Sequence, residues 1–135
     1  MVLHFLAHGR TTELTRQLVP SLRAADVIGS TALAPALRDL AGLEPVPVVA
    51  ERTSGGLRLN GPIRWASHLF PETAIVLPVR LPDESRSVVL IRASDQGVDV
   101  TPPPALLALN ATRSSSATLR DVVVPPHAVL SDDMA

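Results

Sequence analysis

The sequence predicts a mainly β domain, a sandwich or barrel of about seven strands with helices at its N-terminus. The first observation is a series of short β-branched or alternating segments at close spacing, each bounded by turn residues. The second is the combination of 13 prolines with 7 glycines, which favours short strands joined by turns. The third is an N-terminal stretch with helical spacing of apolar residues, which predicts helices outside the sheet.

Residues 1–26 are predicted to form a helical segment, and residues 27–135 are predicted to form the β domain. Val2 to His8 is apolar and is expected to be the end of a helix, closed by Gly9 in the left-handed conformation. The next helix is expected to start at Thr11 or Thr12, with an apolar stripe at Leu14, Leu18, Val19 and Leu22. A proline at position 20 is predicted to break or kink this helix.

The β domain is predicted to begin after an ambiguous segment. Val27 to Leu33 starts with strand-like residues, whereas Pro35 to Leu43 has leucines at helical or turn-like spacing. Thr53 to Gly56 is predicted to be a turn, and residues 82–86 are predicted to join a hairpin. The predicted strands are Val46–Arg52, Leu57–Asn60, Ile63–Ser67, Ala74–Arg80, Val88–Arg92, Val98–Thr101 and Leu119–Val124.

The stretch around Asn60-Gly61 is predicted to be a hairpin that carries the only tryptophan of the chain. An Asn-Gly pair tolerates the positive φ values of a type I′ turn, and alternating residues flank it. Period two then places Ile63, Trp65 and Ser67 on one face, where a broad ring beside a hydroxyl suits a flat ligand. The alternative is that Trp65 is a core residue and Ser67 ends the strand.

Composition and charge exclude several classes of protein. Apolar residues make up 46% of the chain and charged residues 19%, which is typical of neither disordered nor fibrous proteins. The formal net charge is −1, with both signs spread along the chain, so neither a nucleic acid nor a membrane is an expected partner. The chain has no cysteine and no recognisable signal segment, and we expect a cytoplasmic protein.

Motifs that would carry catalysis or bind metal are weak. His4 and His8 have the spacing of metal ligands on a helix, but no third ligand is evident, and no metal site is predicted. Asp83 and Glu84 are adjacent carboxylates, but they lie at a predicted loop tip and are expected to be solvated. The sequence has no nucleophile elbow, Walker loop or Rossmann glycine fingerprint.

The order of segments resembles the acyl-CoA dehydrogenase superfamily, from the end of its N-terminal helical domain through its middle β-domain. Leu57 to Gly61, followed by Trp65, is similar to the family's Leu-Asn-Gly-x-Lys-x-Trp-Ile-Thr-Asn segment. Residues 113–125 resemble the closing segment, a serine or threonine cluster followed by an Asp-Val-x-Val-Pro strand. Residues 9–22 look like the helix that leads into the β-domain, so the resemblance covers nearly the whole chain.

The resemblance implies FAD as the cofactor and an acyl-CoA-type substrate. In the family the tryptophan packs beside the flavin ring and the threonine hydroxyl meets flavin N5, positions that Trp65 and Ser67 occupy here. The family's first flavin loop, roughly aromatic-x-x-Thr-Glu-Pro-x-x-Gly-Ser-Asp, corresponds to Thr31 to Asp39. The implied cofactor-binding residues are Trp65, Ala66, Ser67, Thr31, Leu33 and Ala34, several of them through backbone groups.

The departures from the family pattern concern the flavin loop and the catalytic base. The loop lacks the family's hydroxyl and Gly-Ser pair, and Ile63 stands where the hairpin segment has lysine. These 135 residues have no counterpart of the C-terminal four-helix domain that carries the catalytic carboxylate. No catalytic residue is therefore predicted, since the acids all fall in predicted loops or chain ends, namely Asp39, Glu44, Asp83, Glu84, Asp132 and Asp133.

The expected function is that of a flavin-dependent oxidoreductase of the acyl-CoA dehydrogenase type, present as a partial chain. In the family a carboxylate removes the α proton of an acyl thioester while flavin N5 takes the β hydride. The isolated chain is expected to be inactive, to bind FAD weakly at most, and to pair with a second copy or a complementing helical domain. The alternatives are a flavin-dependent monooxygenase on the same fold and a noncatalytic β-sandwich interaction module.

Overall fold

The computed structural model describes residues 1–131, and most of its ordered elements are strands. The helices are α1 (Val2–His8), α2 (Glu13–Arg23) and α3 (Ala34–Leu40). The strands are β1 (Gly29–Thr31), β2 (Val49–Thr53), β3 (Gly56–Ala66), β4 (Ala74–Arg80), β5 (Arg86–Arg92), β6 (Val98–Val100), β7 (Ser115–Val124) and β8 (Val129–Ser131). The predicted mainly β fold class is confirmed.

Within residues 1–131 the eight strands form one mixed sheet in the order β6-β7-β3-β2-β4-β5-β8, with β1 beside β4. β1 and β2 run parallel to β4 and share one of its edges, and the other neighbours are antiparallel. The sheet curls so that side chains of β2, β3, β4, β5 and β7 meet in one core. Fully buried members of this core include Leu59, Leu77, Leu119 and Val122.

The N-terminal helices lie outside the sheet, as predicted. Val2 and Leu6 of α1 and Leu18 of α2 pack against Ala74 and Val76 of β4, together with residues of β5 and β8. The alternate residues of β4 point into the curled core on the other side. Every β4 residue from position 74 to 79 is consequently buried, which explains why this strand reads as an unbroken apolar run.

The ends of the helices differ in part from the prediction. Gly9 closes α1 in an extended conformation, with φ −81° and ψ −170°, so the predicted left-handed cap is wrong. Glycine is required there for space, since a Cβ would lie 2.7 Å from the carbonyl oxygen of Phe5. Thr12 caps α2 through its hydroxyl, which accepts a hydrogen bond from the backbone N–H of Thr15. Pro20 does not break α2, which continues past it.

Several strands extend or begin elsewhere than predicted. The ambiguous segment contains β1 followed by α3, so Asp39 lies in a helix and not in a loop. β2 begins at Val49, after Pro47, and β7 begins at Ser115, earlier than predicted. β8, which pairs with β5, is not predicted by the sequence. Pro125-Pro126 is expected to end a strand, and the apolar run after it is short.

The predicted hairpin turn at Asn60-Gly61 is wrong. β3 runs without a break from Gly56 to Ala66, and the turn before it is the predicted one, because Thr53 pairs with Gly56. Gly61 does have a positive φ of 133°, but the reason is a close approach between strands. A Cβ at Gly61 would lie 2.5 Å from the carbonyl oxygen of Pro47.

A β-bulge in β7 lies opposite Asn60. Leu59 pairs with Val122 and Gly61 with Leu119, so β7 has one residue more than β3 in this interval. The amide side chain of Asn60 forms two hydrogen bonds with Asp121 in the bulge. It accepts one from the backbone N–H at 3.0 Å and donates one to the carboxylate at 3.2 Å. The Asn-Gly pair therefore belongs to a bulged strand pair.

Candidate functional site

A groove opens where β3, β4 and α3 meet. Its volume is about 260 Å³, and its walls are mostly apolar, with Pro47, Pro62 and Pro78 among them. Trp65 lies on one wall with 54% of its surface exposed, so it is not a core residue. A broad aromatic face that is left open beside an apolar groove is suited to a flat ligand.

A second β-bulge brings Trp65 to the surface. Ile63 pairs with Ala117 and Ala66 with Ser115, so Arg64 and Trp65 together stand opposite a single residue of β7. Both bulge residues are exposed, whereas Ile63 and Ala66 are buried. The prediction that Ile63 and Trp65 share a face is wrong, because the bulge shifts the alternation by one residue.

The predicted flavin loop reaches the same groove through some of its residues. Ala34 lines the groove together with Ala32 and Pro35. Thr31 and Leu33 are turned away: the Thr31 hydroxyl lies 3.5 Å from the sulfur of Met1, and Leu33 packs against the core under α1 and α2. The structure thus brings Ala34 and Trp65 to one groove, and it leaves the side chains of Thr31 and Leu33 outside it.

The remaining predicted contacts lie at the end of β3. Ala66 is buried in the curled core, so its side chain is not open to a ligand. Ser67 is half-buried, and its hydroxyl oxygen lies 2.9 Å from that of Ser114. Trp65 and Ser67 flank the buried Ala66, but Trp65 lines the groove and Ser67 does not.

A charged cluster that the sequence analysis did not single out lies on the rim of the groove. Glu44 accepts hydrogen bonds from Arg38 and Arg64, with N···O distances of 3.2 Å and 2.8 Å to its Oε1. The hydrogen bond from Arg38 is the main cause that holds the pKa of the Glu44 carboxyl below its ordinary value. The rim therefore carries two guanidinium groups and one carboxylate. No sequence signal groups these three residues, since Arg64 is 20 positions from Glu44.

A part-buried ion pair attaches α3 to β5. Asp39 receives two hydrogen bonds from the guanidinium of Arg86, one of them at 2.9 Å from Nη2. These bonds lower the pKa of the Asp39 carboxyl, and only 10% of that side chain is exposed. Because α3 carries one wall of the groove, the pair holds that wall against the sheet.

The other candidate groups from the sequence are apart from the groove. The imidazole rings of His4 and His8 lie 4.4 Å apart on α1, and within residues 1–131 no three potential ligands are grouped to hold a metal ion. The Asp83 carboxylate accepts from Ser85, and Glu84 pairs with Arg80, in an exposed turn as predicted. No helix among the described residues is long and apolar enough to cross a membrane.

The dimensions of the groove suit a flat ring and not an entire dinucleotide. Sites for drug-sized ligands occupy roughly 300–1,000 Å³, and the groove lies just below that range. The buried hydroxyl of Ser30 has no hydrogen-bond partner among the described residues, but Ser30 does not line the groove. The residues present therefore fit the ring of a flavin, while a pyrophosphate and an adenine would need contacts from elsewhere.

The sequence matches no protein-family model and no curated protein sequence. Among solved structures, the chain is similar to a glutaryl-CoA dehydrogenase from Mycobacterium smegmatis in complex with FADH2, with a TM-score of 0.83 and 20% identity over 99% of this chain and 35% of that one. It is also similar to an acyl-CoA dehydrogenase from Geobacillus kaustophilus, with a TM-score of 0.83 and 16% identity over 98% and 36%. For the FAD complex of PigA the TM-score is 0.79, at 18% identity over 96% and 34%.

These similarities show the fold, because the identities are too low to show more. The chain spans about a third of the length of each of these structures. The resemblance predicted from the sequence is thereby confirmed at the level of the fold: the chain is folded like one third of an acyl-CoA dehydrogenase, the third that contains the middle β-domain.

Proposed function

We propose that this chain is the flavin-ring-binding part of an oxidoreductase of the acyl-CoA dehydrogenase type, which desaturates an acyl thioester between its α and β carbons. The observation that carries the proposal is the meeting of Ala34 and Trp65 on one apolar groove. The resemblance implied cofactor contacts in both segments, which are some thirty positions apart in the sequence. Their convergence on an open aromatic wall favours a ring site over a purely structural role for Trp65.

In this proposal the chain orients the ring and keeps water from it. Bound FAD would supply the hydride acceptor for desaturation. Trp65 offers the stacking face, and the apolar wall around Ala34 and Pro35 excludes water from the ring. As the resemblance implies, Ser67 would contact the ring, and the remaining proposed contacts would come from the backbone of Thr31, Leu33 and Ala66.

The proposal assigns no catalytic base to the described residues. Glu44 is the carboxylate that lines the groove, but two arginines hold it ionised with a lowered pKa, which makes it a weak base. Asp39 is bonded to Arg86, and Asp83 and Glu84 lie in an exposed turn. Asp132 and Asp133 lie outside the described residues. In this proposal the base comes from another part of the protein or from a partner.

We propose that residues 1–26 are the end of an N-terminal helical domain and that residues 27–135 are the β-domain of a larger assembly. The partner would be a complementing helical domain or a second copy. Leu37, Leu40 and Leu43 on and after α3 are all exposed, and exposed leucines of this kind are suited to being covered by a partner. The similar structures reported above favour neither the monooxygenase nor the interaction-module alternative.

The test is a titration of the purified chain with FAD, followed by the fluorescence of the flavin and of Trp65, the only tryptophan. We expect weak, saturable binding that quenches Trp65. Trp65→Ala should weaken binding by about tenfold, because stacking on the ring is lost. Val123→Ala is the matched control, since Val123 is exposed and apolar but lies on β7 outside the groove.

Two outcomes would contradict the proposal. Absence of Trp65 quenching, or an equal effect of the two variants, would remove the ring site from the groove. An assay of acyl-CoA oxidation with an artificial electron acceptor should show no turnover by this chain alone. Stoichiometric FAD binding with turnover would show that the base lies within the 135 residues.

A further inference from the structure

A second cavity lies beside β6, which within residues 1–131 has a neighbouring strand on one side only. Its volume is about 410 Å³, and its walls include Val98 and Val100 of β6 and Phe70 from the segment that joins β3 to β4. Sites for drug-sized ligands occupy roughly 300–1,000 Å³, so the cavity is large enough for a small organic molecule. It shares no lining residue with the groove beside Trp65.

The walls of this cavity are apolar except at two positions. Proline, valine, leucine, alanine and phenylalanine side chains form most of the lining. The hydroxyl of Thr101 already accepts a hydrogen bond from Ser116. Arg113 is the one ionisable residue among the described residues that line the cavity. The cavity therefore presents a single positive charge beside an apolar surface, which suits a ligand with an apolar body and one anionic group.

The guanidinium of Arg113 is held in position by an aromatic ring. It lies 4.7 Å from the centroid of the Phe70 ring, within the range of a cation–π contact. The backbone is fixed as well, since the Arg113 carbonyl accepts from the N–H of Leu69 and the Arg113 N–H donates to the carbonyl of Asn110. Arg113 has φ 42° and ψ 42°, a left-handed conformation that arginine rarely adopts. Strained positions of this kind are concentrated at ligand sites.

The charge of Arg113 is not neutralised by the part of the chain that the structure describes. Arg38 and Arg64 both bond the carboxylate of Glu44, whereas the side chain of Arg113 contacts the Phe70 ring and forms no ion pair with a described residue. The cation–π contact uses the face of the ring, so it leaves the N–H donors of the guanidinium free. Arg113 is thus a positioned cation that has donors available for an anion.

We propose that this cavity binds a small monocarboxylate, with its carboxylate paired to Arg113 and its hydrocarbon part against Phe70, Val98 and Val100. A carboxylate presents two oxygens that match the parallel N–H groups of a guanidinium. A phosphate monoester carries nearly two negative charges at pH 7, and the described lining has no second cation to match them. The site is separate from the groove beside Trp65, so the inference does not depend on the proposed function.

The test is a titration of the purified chain with hexanoate, followed by the NMR signals of the Phe70 backbone amide and the Arg113 side chain. We expect saturable shifts of both signals and no change in the fluorescence of Trp65. Hexanol has the same hydrocarbon chain without the charge, and it should bind about tenfold more weakly, because a hydrogen bond between charged groups is lost.

Two substitutions at the cavity separate the charge from the ring that holds it. Arg113→Gln removes the charge and should weaken hexanoate binding about tenfold, with little effect on hexanol. Phe70→Leu keeps the wall apolar but removes the cation–π contact, and should weaken hexanoate binding about threefold. The matched control is Arg23→Gln, which makes the same change at an exposed arginine of α2 outside the cavity, and should leave binding unchanged.

Circular dichroism verifies that each variant is folded. If Arg113→Gln does not fold, the comparison of hexanoate with hexanol in the wild type decides the question. Three results would each overturn this inference: no hexanoate binding to the wild type, equal affinities for hexanoate and hexanol, or equal effects of Arg113→Gln and Arg23→Gln. Each of them would leave the proposed function standing, since neither FAD nor Trp65 takes part in the measurement.

Discussion

Strand β4 and the Trp65 end of β3 are both apolar parts of one sheet, yet they differ in what covers them. On β4 the outward residues Ala74 and Val76 are covered by α1 and α2, and the strand has no exposed apolar surface. At the end of β3 the bulge turns Trp65 outward, and α3 stands beside it without covering it. The comparison shows that apolar surface is left open at the Trp65 end of β3 and not on β4, although other exposed apolar residues, such as Leu107 and Val123, lie outside the groove.

The difference follows from how the two regions are attached. α1 and α2 contribute their apolar stripes to a second core, so their packing is a part of the folded domain. α3 is bound to the sheet by the ion pair between Asp39 and Arg86 near its C-terminal end, and its leucines are exposed. The first region is built for stability, and the second is available for contact with another molecule.

The largest expected effect is the difference in unfolding free energy lost by a substitution on β4 and by one at Trp65. Ile75→Ala removes a fully buried side chain of β4 and should lower the free energy of unfolding by roughly 2–5 kcal/mol. Trp65→Ala should lower it by less than about 1 kcal/mol, since Trp65 is half exposed. Urea unfolding followed by circular dichroism measures both, and equal losses would show that Trp65 is a structural residue.

A smaller effect is expected where β3 approaches Pro47 on the groove wall. Gly61→Ala introduces a Cβ next to the Pro47 carbonyl at a φ that alanine rarely adopts, and should cost about 1–3 kcal/mol. Gly55→Ala is the matched control, because the nearest atom to its Cβ would be 4.0 Å away. Similar unfolding midpoints for the two variants would mean that the strands do not approach so closely.

A still smaller loss of stability is expected from a change at the N-terminus of α2, one of the helices that cover β4. Thr12→Ala removes the cap of α2 and its hydrogen bond to the carbonyl of His127, and should lower the free energy of unfolding by about 1 kcal/mol. Thr11→Ala changes an exposed neighbour and should have little effect. If thermal unfolding shows the reverse order, the cap assignment is wrong.

The smallest effect concerns the attachment of α3 and appears in acid. The pKa of Asp39 lies below its ordinary value of 3.8 because of the hydrogen bonds from Arg86, so ionised Asp39 stabilises the fold. This contribution, at most about 1 kcal/mol for a partly exposed pair, is present above pH 4 and is lost as the pH falls through the lowered pKa. The free energy of unfolding should therefore fall less between pH 5 and pH 2 in Asp39→Asn than in the wild type. Urea unfolding at each pH measures this difference. An identical pH dependence in the variant would contradict the role of the pair.

Much of the fold could be predicted because local patterns carry it. The alternation and β-branched residues of β4, β5 and β7 predict strands, and the capping threonine with its apolar stripe predicts α2. The Asn-Gly pair misled because a positive φ serves a turn and a close approach between strands equally well, and only the partner strand distinguishes them. β8 escaped prediction because its pairing with β5 compensates for a short, weak pattern.

By itself the sequence determined the fold class, the order of its parts and the two segments that meet at the groove, because hydrophobic periodicity and motif spacing are local properties of the chain. Tertiary structure alone decided that Trp65 faces outward, since that depends on one extra residue in β3 opposite β7. It also decided that Arg64 joins Glu44 on the rim and that Ser67 bonds Ser114. These features arise from contacts between residues distant in sequence, which no local pattern encodes.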